Sequence, residues 1–303
     1  MVANGRIDVP GDEDLFRFHS PRGQEWICEI EAQRRGSPLD SVIDVLDADG
    51  RPVQRAVLQA TRDSYLTFRG TDATGREFRL FNWEEMNLNE YLYVGGEVVK
   101  LFRAPQGPDS GFLTYEGEGG QRRTELDTTA VAHALDDPAY IVTPLAPQTK
   151  IVPNGLPVFR LAYTNDDDSE RRRGADSRLA FVAPDDADYL VRVRDARGQG
   201  GARFTYRLIV RPARPAFQAT VHGANPTVPR GSGKAFSVVV DRIDGFDGEV
   251  QVKLVGSPPP GVTITAPLRI EAGHREARGV IVAADDAPDA GQPDSPPLAL
   301  EAT

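Results

Sequence analysis

The chain has 303 residues, enough for two or three domains with their own cores, and its 40% apolar and 26% charged content is that of an ordinary globular protein. A formal net charge of −10 argues against a nucleic-acid partner and against polybasic attraction to anionic lipid, leaving only a local basic run at Arg171, Arg172 and Arg173. A single cysteine excludes an intrachain disulfide, and no apolar run is long enough for membrane insertion as a helix.

The opening, MVANGRIDVPGDED, begins almost inside a strand and carries no signal peptide. The expectation is a piece of a longer exported protein whose export signal lies upstream, so the location is secreted, periplasmic or cell-surface. Next come DLFRFHS and EWICEIEA, which alternate apolar and polar residues in the period of a half-buried strand. Trp26, Cys28 and Ile30 share one face, which makes Cys28 a buried small hydrophobe rather than a reactive thiol. DVLDADGRPV places Asp-Gly between two apolar runs, the signature of a hairpin turn; it lacks the spaced acceptors of a calcium-binding helix–loop–helix. YLTFRG and EFRLF continue the alternation. FNWEEMNLNEYL and TAVAHALDD each have room for a helical turn or two, and neither continues.

Further strands are expected at YLVRVRD and FTYRLIV, before a proline-bearing joint, RPARPAF, at 211–217. Beyond it, AFSVVVDR, EVQVKLVG, VTITAPLRI and a last LALEAT belong to a small sandwich of immunoglobulin-like kind. About six strands can be counted there, one short of a complete sandwich, so an exposed edge and a truncated domain are expected. The acidic, proline-rich DDAPDAGQPDSPP suits a long loop.

RDSYLTF, from Arg62, is echoed by ADSRLAF, from Ala175, across about a hundred residues of different character. The simplest organisation is one sandwich interrupted by an insertion. The fold class is therefore all-β: a jelly-roll-like β-sandwich over 1–63 and 160–212, a small inserted β domain over 64–159, and an immunoglobulin-like sandwich over 213–303.

The outer pieces together resemble the bacterial pre-peptidase C-terminal domain family. The stretches that carry the resemblance are GRIDVPGDEDLFRFHSPRGQEWICEIEA, GSPLDSVIDVLDADGRPV, DSRLAFVAPDDADYLVRVRD and FTYRLIVRP. Two departures stand: Ala187-Asp188 replaces the usual glycine before the tyrosine, and the insertion falls in mid-motif. DRIDGFDGEV and PPPGVTI look like the domains that often follow such modules in large exported proteins. The resemblance implies a secreted, non-catalytic accessory module of jelly-roll-like fold, with calcium in parts of the family and binding to extracellular polymers in some members.

The acidic run YTNDDDSERRRGADS is the sharpest chemical signal. Hard cations take six to eight oxygen ligands, and Asp166, Asp167, Asp168 and Asp176, completed by Asp40 of the SPLD step, compose a candidate calcium site. The commoner outcome for such a loop is a solvated connection, with Arg171 to Arg173 competing for the carboxylates. A second candidate surface lies in the insert, where Phe81, Trp83, Tyr91 and Tyr93 stand among amides and carboxylates. Such rings stack on sugar faces or anchor a protein partner, although the commoner outcome is that they form the insert's own core.

Catalytic patterns fare worse. The four histidines are scattered, no HExxH or G-x-S-x-G occurs, and Asp127-Thr128-Thr129 is only faintly like an aspartic-protease loop. RGSGKAF lacks the first glycine and the Ser or Thr of a phosphate loop, and the adjacent Glu84 and Glu85 are ill placed to straddle a sugar. The expected role is a non-enzymatic module that binds or presents at the cell surface or on an extracellular polymer. Its partners would be a polysaccharide, an extracellular protein and other domains of the parent; calcium is its one candidate cofactor. The alternatives are a hydrolase with its site in the insert and a pure structural spacer.

Overall fold

The computed structural model describes residues 1–107, 109–223, 227–288 and 299–303. The fold is all-β, with single 3₁₀ turns as its only helical elements among the described residues. Two compact units part between Pro212 and Ala213. FNWEEMNLNEYL holds one such turn, at Trp83–Glu85, whereas TAVAHALDD is irregular and forms a β-bridge through His133 to Thr71.

The first unit contains β1 (Val2–Arg6), β2 (Glu13–Ser20), β3 (Glu25–Glu31), β4 (Ser41–Asp47), β5 (Gln54–Tyr65), β6 (Glu77–Phe78), β7 (Tyr91–Val94), β8 (Glu97–Arg103), β9 (Phe112–Thr114), β10 (Pro138–Leu145), β11 (Val158–Ala162), β12 (Thr164–Asn165), β13 (Arg178–Val182), β14 (Ala187–Asp195) and β15 (Thr205–Pro212). Eight of these make a sandwich of two four-stranded antiparallel sheets, ordered β1-β15-β3-β13 and β12-β4-β14-β2. Alternation aims Cys28, Ile30, Ile43, Val45, Val191 and Leu208 into its core. Phe181 lies at the centre, its ring 4.8 Å from Tyr189 and 4.9 Å from Tyr163 in edge-on contacts. The DADG turn closes through Asp47, whose Oδ1 accepts the Asp49 and Arg51 amides at 2.9 Å, with Gly50 supplying the positive φ of 81°.

β4 and β12 are antiparallel neighbours, Thr164 opposite Asp44. Everything between them is an insertion into what is otherwise one strand pair. The inserted sheet is ordered β11-β5-β10-β7-β8-β9-β6. It curls shut: Leu66 bridges Leu80, the Thr67 amide donates to Arg79 O at 2.8 Å, and the Phe81 amide donates to Tyr65 O at 3.1 Å. The result is a small barrel whose interior is filled by Leu66, Phe78, Leu80, Leu92, Leu101 and Phe112. One end is closed by a buried ionic cluster. Arg122, fully buried, donates to Glu97 at 2.5 and 3.0 Å and to Val131 O at 2.7 Å, while His133 Nε2 lies 2.7 Å from the same carboxylate.

The changeover from sandwich to insertion differs from the sequence reading. β5 belongs wholly to the inserted sheet, so the sandwich stops before Gln54 rather than at 63. The two copies of the Asp-Ser echo accordingly lie in different sheets, Ser64 in the barrel wall and Ser177 at the edge of the sandwich. Alternation reports that a segment is a strand; it carries no information about which sheet accepts it.

The second unit comprises β16 (Ala216–His222), β17 (Ser232–Ile243), β18 (Val250–Val255), β19 (Val262–Ile264), β20 (Leu268–Ile270), β21 (Glu276–Ala283) and β22 (Ala299–Ala302). They form sheets β16-β17-β21-β19 and β20-β18-β22 around Phe236, Val238, Val240, Val250 and Val252. This makes seven strands among the described residues, one more than the sequence count, because β19 and β20 divide VTITAPLRI between opposite sheets. RGSGKAF runs into β17 and is extended strand. Of the loop expected over DDAPDAGQPDSPP, residues 289–298 lie outside those described.

Candidate cation site

The acidic run sits where the chain leaves the insertion and re-enters the sandwich. β12 ends at the buried Asn165, whose Oδ1 accepts the Arg178 amide at 2.8 Å while Nδ2 donates to Asp127 O at 2.9 Å and Asp167 O at 2.6 Å. This bracing turns the backbone so that consecutive aspartates aim differently. The Asp166 and Asp167 amides both donate to Thr129 Oγ1 of the insertion, at 3.1 and 3.3 Å. Asp40 arrives from the opposite side, just ahead of β4. Its amide donates to Asp195 Oδ2 at 3.0 Å and its carbonyl accepts the Ala196 amide at 2.7 Å.

One carboxylate oxygen from each of Asp40, Asp166 and Asp167 lies within 4.8 Å of the other two. Among the described residues this is the one group of three or more His, Cys, Asp or Glu gathered tightly enough to hold a metal. All three side chains are half-buried. Burial, then the Asp167 and Asp40 charges, push the Asp166 carboxyl up to about 6. Asp167 is also raised, by burial first and by Asp40 and Asp168, against the opposing pull of Arg171. Three carboxylates therefore converge in a partly desolvated corner where ionisation is disfavoured, offset in part by Arg171 beside Asp167, Arg197 3.6 Å from Asp40 and the Arg194 charge acting on Asp166. Asp166 Oδ1 is itself buried without a hydrogen-bond partner. An all-oxygen donor set fits a hard cation of the calcium or magnesium class and not a thiolate- or imidazole-seeking metal.

The other two proposed ligands stand apart. Asp168 is 2% exposed, accepts the Arg172 amide at 2.9 Å, and is raised by burial against the pull of Arg178 and Arg173. Asp176 is fully buried and caps the turn at Gln33–Arg35. It accepts the Ala32, Gln33 and Arg34 amides at 3.0, 2.7 and 3.3 Å and Arg34 Nε at 2.7 Å, which occupies both oxygens. The arginine run is mostly engaged elsewhere: Arg172 with Glu170 at 3.1 Å and Arg173 with Glu29 at 3.0 Å. Arg171 pairs with Asp167 at 3.3 Å and also donates to Ala73 O of the insertion at 2.6 Å.

Sequence reasoning did not find Thr129, Asp127 or Asp195 as parts of this site. Asp127-Thr128-Thr129 serves the seam rather than any protease-like chemistry: Asp127 Oδ2 accepts Arg55 Nη1 and the Ala180 amide, joining insertion to sandwich. The backbone peculiarities here are the positive φ values of Leu126, Asp127 and Arg171, 55°, 49° and 63°, and they have no sequence signature.

The aromatic candidates divide. Phe81 is 61% exposed and stacks on Tyr65 at 4.7 Å. Trp83 packs against the barrel's interior cluster, while Tyr91 and Tyr93 are half-buried on its outer wall, with Tyr93 stacked on Phe159 at 4.0 Å. Glu84 and Glu85 are exposed side by side on the 3₁₀ turn. Comparison of the chain with family models, with curated proteins and with solved structures finds no match.

Proposed function

We propose that the chain is a non-catalytic extracellular accessory module of a larger exported protein, of the pre-peptidase C-terminal kind, with a calcium-class cation locking its sandwich to the inserted barrel. The observation that carries this reading is the triad of Asp40, Asp166 and Asp167, convergent, half-buried and placed on the seam between the two. The family reading draws support from position. Its resemblance-bearing stretches occupy β1 to β4 and β13 to β15, which all belong to the one eight-stranded sandwich despite the intervening insertion. The cation supplies positive charge to a site whose own residues hold it by three oxygens, and it takes part in no bond-making step. Binding or presentation then falls to the exposed surfaces of a rigid body.

The test is a thermal melt in millimolar calcium and again in chelator. A ligand at about a hundred times its dissociation constant adds about 2.7 kcal/mol. For the 212 residues of the first unit that is a rise of about 6 °C in its transition. Asp167→Ala abolishes the response. A first-unit transition indifferent to calcium sinks the cation half of the proposal, and turnover of glycan or ester substrates by the purified chain sinks the other half.

A further inference from the structure

The outer wall of the barrel carries six aromatic rings in a broken row, a Tyr65–Phe81 pair set diagonally from Tyr140, Tyr93, Tyr91 and Phe159, because the register puts Pro138 opposite Tyr65 and Asp63 opposite Tyr140. Strand register and alternation put Tyr65 of β5, Tyr140 of β10 and Tyr93 and Tyr91 of β7 on the face turned away from the barrel interior. Phe81, opposite Tyr65 at the barrel's closure, extends the row at one end. Phe159 of β11 fills its middle, 4.0 Å from Tyr93 and 5.3 Å from Tyr140. Beneath lies a dry floor of Leu58, Ala60, Val98 and Val142. Phe81 is 61% and Tyr65 36% exposed, and the other four are half-buried. Tyr91, Tyr93, Tyr140 and Phe159 pack on that floor as a second small cluster with Leu126, Leu156 and Leu161, so the surplus over packing is the Phe81–Tyr65 end together with the uncovered edges of the other four rings.

The chemistry of the row narrows its ligand. Four of the six rings are tyrosines, which pair an apolar face with a hydroxyl at the edge, and this matches a ligand that alternates C–H faces with hydroxyl groups. From β5 to β7 the row crosses two strand spacings, about 10 Å, and the Phe81 end lengthens it, so it fits a chain rather than a single small molecule. The wet part of six half-covered rings falls well short of the roughly 800 Å² per partner that a stable protein interface buries. The cations nearby are already engaged: Arg62 by Glu90, Arg79 by Glu77 at 2.7 Å, and Lys100 over the Tyr91 ring at 5.3 Å. With a net charge of −10 on the chain, a polyanion such as single-stranded nucleic acid or a sulfated glycan meets no electrostatic funnel.

We propose that this row binds an uncharged polysaccharide, laid across the strands with its sugar faces on the rings. The proposal rests on the binding-module reading above and names its partner class.

The test is electrophoresis of the full chain through gels containing soluble uncharged polysaccharides (a β-glucan, a xylan, a galactomannan), with dextran sulfate gels and immobilised collagen as the other arms. The expected result is retardation of the wild type by at least one uncharged polymer. A Tyr65→Ala/Phe81→Ala double variant should bind at least tenfold more weakly while its melting profile stays that of the wild type; both side chains are exposed, so the fold survives their loss. Leu15→Ala, exposed on the sandwich, should change nothing. No retardation in any uncharged gel, or undiminished retardation of the double variant, overturns the proposal. So does binding to dextran sulfate or collagen that the double variant loses, which would leave a binding module with another partner. Each gel is run with calcium and with chelator. Absent retardation beside a calcium-dependent melt fails the partner class alone, whereas intact retardation beside a calcium-indifferent melt supports the partner class and fails the cation seam.

Discussion

Replacing Asp166 by asparagine removes one negative charge from the triad at almost constant shape, and its effect on stability has a sign that depends on pH. In the wild type the Asp166 carboxyl rises from 3.8 to about 6 on folding, through burial first and then through Asp167 and Asp40. Between those two values the folded protein binds more protons than the unfolded chain, so stability falls as pH rises through the window and the loss is complete above about 6. A rise of about two units corresponds to about 3 kcal/mol in an unscreened site. Asp166 is partly open to solvent, and screening halves the figure to about 1.5 kcal/mol. In a unit of 212 residues this is about 3 °C. In chelator at pH 7.5, Asp166→Asn should therefore melt about 3 °C above the wild type, and the two should converge near pH 4. In millimolar calcium the order should reverse, because the variant has lost a ligand. Calorimetric scans of both proteins at several pH values, following the first-unit transition, decide the matter. A variant that melts at or below the wild type in chelator at pH 7.5, or a difference that does not change with pH, refutes the account of the triad as mutually repelling carboxylates.

Asp176→Ala strips four donors of their acceptor and should cost about 3 kcal/mol in urea unfolding, yet whatever folds should keep its calcium response, since Asp176 is no part of the triad. Arg122→Met leaves Glu97 buried without its guanidinium and should cost about 3–5 kcal/mol; adding Glu97→Leu should recover only part of that loss by the same measurement, because His133 Nε2 and the Val131 amide then lose their acceptor. Burial pushes the Cys28 thiol up to about 12. A thiol-specific chromogenic reagent at pH 8 should therefore detect nothing in the native protein and one thiol in denaturant.

Strands were legible because alternation survives in the sequence whichever sheet a segment joins. WICEIEA shows its buried face as Trp26, Cys28 and Ile30, and the structure puts Cys28 and Ile30 in the core with Trp26 packed against it. Pairing was less legible. β5 alternates as well as any sandwich strand, and only its long-range partners β10 and β11 place it in the barrel. The acidic triad shows the same limit. Three carboxylates in a row announce a crowded charge, but bracing by Asn165 and Thr129 decides which of them face Asp40. Those hydrogen bonds link residues up to 38 apart. Among the aromatics, FNWEEMNLNEYLYV reads as one cluster, whereas the barrel wall sorts it by parity, with Leu92 inward and Tyr91 and Tyr93 outward. Tyr65, Tyr140 and Phe159 join that outer row from three other strands, which no local window contains.

The position of the insertion shows what a lock at the seam would act on. β5 and β11, the first and last inserted strands, pair with each other, Ala56 opposite Leu161 and Gln54 opposite Ala162. The pairing continues into the sandwich as Tyr163 N donates to Val53 O at 3.0 Å and Val45 N to Tyr163 O at 2.9 Å. The barrel thus enters and leaves through adjacent strands of one ribbon, so a large insertion disturbs β4 and β12 no more than a hairpin turn does. A two-stranded ribbon alone, however, can twist and bend. What restrains the barrel is a second line of attachment beyond the ribbon. The Glu118 amide donates to Glu170 O at 2.8 Å, the Thr124 amide to Ser169 O at 3.1 Å, and Arg171 to Ala73 O. Every sandwich-side residue in that line belongs to the turn that follows Asp166 and Asp167. A cation drawing those two aspartates toward Asp40 would therefore tighten a loop that holds the barrel beyond the ribbon, alongside the separate attachment of Asp127 and Arg55 to Ala180 of β13, and any ligand on the barrel's rings would be presented on a fixed rather than a swinging arm.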